Sequence, residues 1–133
     1  MKKIYLLFSV CVLLFSCSDD DNNDNVDRQK IIGKYYLFST DDVEVDDCGK
    51  ETYVDIKSDG TLVSEYFETD GDECISFDGE TTYTYTIKNG KITIDNEETD
   101  DVEVISYKFV GDDLELTYEE DDKVFVDYYV KAE

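Results

Sequence analysis

Along most of this chain, apolar and polar residues alternate with a period of two, which marks strands with one buried face rather than helices. Val54 and Ile56 share a phase, and Tyr83, Tyr85 and Ile87 stand opposite Thr82, Thr84 and Thr86. Ile92 with Ile94, Leu114 with Leu116 and Tyr118, and Val124 with Val126, Tyr128 and Val130 extend the inward set. Turn residues punctuate these runs. Asp59-Gly60 and Asn89-Gly90 are two-residue hairpin signals, while Gly111-Asp112-Asp113 and Glu120-Asp121-Asp122 separate the later runs. The pattern predicts eight strands, at 34–40, 51–58, 61–68, 81–88, 91–95, 101–110, 114–119 and 123–131. In the sixth, Val102 and Val104 lie on one phase and Ile105, Tyr107 and Phe109 on the other, which reads as a bulge or a late start. One helical turn at 28–32, with Asp27 as its cap, leads into the first strand. The complete absence of proline fits long uninterrupted strands. Such strands either close into an antiparallel up-and-down barrel or pack as two sheets.

The N-terminus follows a different rule. Lys2 and Lys3 precede an apolar run at 4–15 that is too short for a stop-transfer helix, and Leu14-Phe15-Ser16-Cys17 then gives way to acids. This stretch resembles a bacterial lipoprotein signal. The resemblance implies a signal peptide at 1–16, cleavage before Cys17, and lipidation of that residue's thiol and new amino group. Residues 17–30 then read as the lipidated cysteine and an acidic disordered tether, and residues 31–133 as a single folded domain. Acids directly after the cysteine also resemble the export signal of lipoproteins displayed on the cell surface. The expected address is the outer membrane, held by the lipid anchor and facing outward.

The chain holds four cysteines. Cys11 leaves with the leader and Cys17 carries the lipid, so Cys48 and Cys74 remain as a pair in polar, glycine-containing loops. An exported compartment favours a disulfide between them over two free thiols. A metal site is the poorest reading, because the chain has no histidine to complete it.

The run Ile31-Ile32-Gly33-Lys34-Tyr35-Tyr36, Cys48, residues 53–61, Cys74, residues 85–94, and Ile105 through Leu114-Glu115-Leu116 together resemble the lipocalin-like domain of lipoproteins from Bacteroidetes-type Gram-negative bacteria. The likeness covers essentially the whole domain. It implies an all-β fold, an eight-stranded antiparallel up-and-down barrel, and no defined ligand. Where such domains tend to carry a tryptophan after the glycine, this chain has Tyr35 or Tyr36.

Charge and residue chemistry narrow the function. With 35 acidic residues against 12 basic ones the net charge is −23, so nucleic acid would be repelled. The missing histidine removes the commonest general base and the usual partner of a nucleophile. Paired carboxylates arise by chance in so acidic a chain, and no glycine-rich phosphate cradle is present. Asp20-x-Asn22-x-Asp24 fails as an EF-hand loop, with Asn25 at the glycine position and Ile31 at the bidentate glutamate position. No catalytic residue, cofactor or structured metal site is expected.

The eleven tyrosines are the feature most open to function. An eight-stranded barrel is just wide enough to be packed solid or to hold one small ligand. If a cavity exists, Tyr83, Tyr85, Ile92, Ile94, Tyr107, Leu116 and Tyr118 are the expected lining, suited to a small hydrophobic or amphipathic molecule. If the barrel is filled, the protein acts on a surface partner through the loops around Cys48 and Cys74. Phe38, Phe67 and Phe125 fall on the outward phase.

Overall fold

A computed structural model describes residues 20–96 and 99–133. Helix α1 (Asp20–Ile31) leads into strands β1 (Gly33–Thr40) and β2 (Val43–Glu44), then a 3-10 turn (Gly49–Glu51). The strands β3 (Tyr53–Ile56), β4 (Thr61–Glu65), β5 (Phe67–Asp70) and β6 (Glu73–Ser76) come next. The chain finishes with β7 (Thr81–Lys88), β8 (Lys91–Asn96), β9 (Asp101–Val110), β10 (Asp113–Glu120) and β11 (Lys123–Lys131).

Strands β1, β3, β4, β7, β8, β9, β10 and β11 pair antiparallel in that order, and β11 returns to pair with β1. The expected eight-stranded up-and-down barrel is therefore closed, each of its strands pairing with a neighbour on either side. The predicted turns drive this meander. Asn89 (φ 53°) and Gly90 (φ 70°) both occupy the left-handed region, the backbone of a type I′ hairpin turn that matches strand twist.

Two predicted strands are shorter than their patterns. The 51–58 run holds only β3, because a 3-10 turn precedes it and Lys57 turns back to donate its backbone N–H to Thr61 O at 2.9 Å. The 61–68 run breaks at Tyr66: Phe67 N donates to Thr52 Oγ1 at 2.9 Å, which diverts the chain out of the wall into the β5–β6 hairpin. The disulfide Cys48–Cys74 (Cα–Cα 5.4 Å) ties this hairpin to the segment before the 3-10 turn. Thr69 Oγ1 reinforces it by donating to Asp46 Oδ2 at 2.8 Å.

Two strand phases also differ from the sequence pattern. In β11 the interior residues are Phe125, Asp127 and Tyr129, while Val124 is 57% exposed and Val130 38%. Both phases of this strand carry large apolar groups, and closure against β1 selects the one containing the aspartate. In β9 no bulge forms, because Val102 and Val104 are simply the outward residues of one continuous strand. The register shift lies instead in β1, between Leu37 and Ser39 against β11.

Where one helical turn from Arg28 was expected to follow a tether, α1 already begins at Asp20. Its intrinsic propensity is poor, but Arg28 and Lys30 in its last turn complement the helix dipole. Tertiary contacts hold it. Asp24 Oδ1 accepts from Asn89 N at 3.0 Å, and Asp27, a mid-helix residue rather than a cap, accepts from Tyr107 OH at 2.9 Å. Lys30 Nζ stands 4.2 Å from the Phe109 ring centre. Ile31 and Tyr35 are fully buried, and with Ile56, Ile92 and Leu114 they seal this end of the barrel. Tyr35, not Tyr36, takes the place where a tryptophan was the expected floor; Tyr36 points outward and is 36% exposed.

Candidate ligand cavity

Above the sealed end the barrel is hollow. A cavity of about 380 Å³ opens toward the end formed by the β1–β3, β4–β7 and β10–β11 connections. Its deep wall is apolar, built from inward residues such as Leu37, Ile56, Leu62, Ile92, Ile105 and Leu116. Its upper wall is mixed, with Thr40, Ser64, Tyr66, Tyr83, Glu103, Tyr118, Phe125 and Asp127. Phe125 stacks on Tyr118 with ring centres 5.5 Å apart, so the phenylalanine expected outside lies within. Glu65 stands at the rim, where Tyr53 OH donates to it at 3.4 Å and to Glu80 at 2.6 Å.

Asp127 dominates the electrostatics. Thr40 Oγ1 donates to its Oδ1 at 2.7 Å and Tyr118 OH to its Oδ2 at 3.1 Å. Burial pushes its carboxyl above the usual range, and those two hydroxyl bonds pull it only partly back. Glu103 is also pushed up, first by burial and then by the nearby Glu120. The phenols of Tyr118 and Tyr129 are raised by burial and by the charge of Asp127.

Of the seven lining residues expected from sequence, Tyr83, Ile92, Ile94, Leu116 and Tyr118 line this cavity. Tyr85 and Tyr107 lie beneath it. Tyr85 OH donates to Lys57 O at 2.7 Å and Tyr107 OH donates to Asp27 Oδ2, so both hydroxyls brace the sealed end. These residues are on the correct face but too deep along their strands, and nothing in the alternation says which barrel end a helix will close. Asp127, Glu103 and Tyr129 escaped the sequence reading. Their only signal was the second phase of β9 and β11, where each acid sits two positions from aromatic or aliphatic neighbours. Phe38 is exposed and Phe67 half-buried, so the former outward set does not form one patch with Phe125. Cys17 lies outside the described residues.

A meandering barrel closed on itself, plugged by a helix at one end and hollow at the other, defines a protein of the lipocalin type. The chain belongs to that family: the model of the lipocalin-like domain matches residues 31–108. No curated protein sequence matches the chain.

Proposed function

We propose that this protein is a non-catalytic binding barrel that carries one small amphipathic molecule in its cavity. The cavity volume of about 380 Å³ carries this reading, since small-ligand sites begin near about 300 Å³ and combine apolar walls with a few placed polar groups. A solid core would have favoured the alternative, a filled barrel acting on a protein partner through its disulfide-linked loops. The lack of any histidine and the family's architecture both support a binding role over catalysis.

The N-terminal pattern supports a lipid anchor at Cys17 after removal of residues 1–16, with the domain displayed at the outer membrane. Native mass spectrometry of the protein, purified gently from its host and compared with the denatured chain, tests the binding role. A stoichiometric small molecule lost on denaturation is the expected result. An apo mass together with failure to take up any small apolar probe would overturn it.

A further inference from the structure

Asp127 is a buried carboxylate without a countercharge among the described residues. It is 8% exposed, and among the described residues its oxygens receive hydrogen bonds only from the neutral hydroxyls of Thr40 and Tyr118 and no lysine or arginine lines the cavity. An ionised group removed from water is costly unless a cation meets it. A carboxylate offers about four acceptor positions, so Asp127 retains capacity for further donors. Beside it, the hydroxyl of Tyr129 makes no hydrogen bond among the described residues although the residue is 7% exposed, and its electrostatic neighbours are Asp127, Tyr118 and Tyr66. These groups face the same hollow as the apolar and aromatic wall.

The wall itself opens near a second acid. Pairing of β9 with β10 stops at Ser106–Thr117, and continuing that register would set Glu103 opposite Glu120. Like charges directly opposite one another destabilise a strand pair, which disfavours extending the pairing to that point. Glu103 lines both the cavity and this lateral opening, which Glu119 and Lys91 also line.

We propose that the ligand is a small organic cation: an ammonium head donating to Asp127, with Tyr129 beside it, and a short apolar body against the deep wall. The proposal rests on the binding role given above and narrows its ligand class. A neutral ligand would leave Asp127 unmatched, and a carboxylate ligand would face repulsion.

The test is calorimetric titration of the purified protein with octylammonium, octanol and octanoate, which share one apolar chain. Octylammonium is expected to bind tighter than octanol by about tenfold to hundredfold, the worth of charge-assisted hydrogen bonds, with octanoate weakest. In Asp127→Asn the difference between octylammonium and octanol should vanish. Because that change removes one of 35 acids, a preference that persists in the variant would reflect bulk charge and overturn the assignment. Equal binding of octylammonium and octanol to the unaltered protein would overturn it too, yet leave the binding role standing. Absence of binding by all three would overturn both. If the variant does not fold, the titration of the unaltered protein is repeated at about 1 M salt: a preference for octylammonium that survives screening supports the buried Asp127 contact, and one that disappears reflects bulk charge and overturns the assignment.

Discussion

Tyr35 donates its hydroxyl to the backbone carbonyl of Ile31 at 3.0 Å, with both residues fully buried. The last carbonyls of a helix lack partners within it, so this bond satisfies one of them while fixing α1 against the barrel floor. Tyr35→Phe keeps the ring and strands the carbonyl, and should cost about 1–3 kcal/mol in urea unfolding. Amide exchange in α1 should quicken more than exchange in β8 or β9. Tyr35→Ala also opens a hole in the floor and should cost about 3–5 kcal/mol.

The Cys48–Cys74 bridge joins residues 26 apart in the sequence, for which chain entropy gives a stabilisation of about 3 kcal/mol. Replacing both cysteines with alanine should lower thermal stability accordingly, and reductant should then have no further effect on the variant. Thiol labelling of the denatured, unreduced protein should find neither Cys48 nor Cys74 reactive.

Acid titration should stabilise this barrel before it destabilises it. Asp127, which faces Tyr118 and Asp41, and Glu103, which faces Glu120, both have raised folded-state pKa values. The fold therefore binds their protons more readily than the unfolded chain does. Between the ordinary carboxylate value of about 4 and those raised values, stability rises as pH falls. Asp46 and Asp59 work in the opposite sense. Backbone and threonine hydrogen bonds lower their pKa values, so their contribution is present above the ordinary value and is lost as pH falls through the depressed one. Melting temperature should climb as pH falls through the raised values of Asp127 and Glu103 toward about 4, and drop below about 4 as Asp46 and Asp59 take up protons. Asp127→Asn should melt higher than the parent at neutral pH and show a flatter climb. A parent that loses stability steadily from pH 7 downward would contradict this account.

Cys17→Ala should abolish acylation and release the protein from the membrane fraction. Fractionation with metabolic acyl labelling measures it, and persistent membrane association of the variant would remove the lipid-anchor reading.

Most of the barrel wall was legible because strand periodicity and turn chemistry are local. Tyr83, Tyr85 and Ile87 declare their face within eight residues, and Asn89-Gly90 declares the reversal that follows. Strand β11 shows the limit. Val124, Val126, Tyr128 and Val130 form the more apolar phase, yet the interior takes Asp127 because its hydroxyl partner Thr40 waits 87 residues upstream. Only closure of β11 onto β1 brings them together, and no window along the chain contains both. The same non-locality hid the depth of Tyr85 and Tyr107. Each is an inward tyrosine like Tyr83, but whether its hydroxyl meets a ligand or a helix depends on which end α1 covers. The helix in turn was obscured by its own composition, since asparagine and aspartate suit a solvated spacer until Asn89, Tyr107 and Phe109 offer them and their neighbours contacts.

The placement of α1 gives the molecule the plan of a cup whose stem leaves from its base. Asp24 and Asp27 of α1 bond to Asn89 and Tyr107 at the end away from the mouth, so a load on the helix is met at the base. The helix and the mouth thus stand at opposite ends, and the contacts that hold one take no part in lining the other.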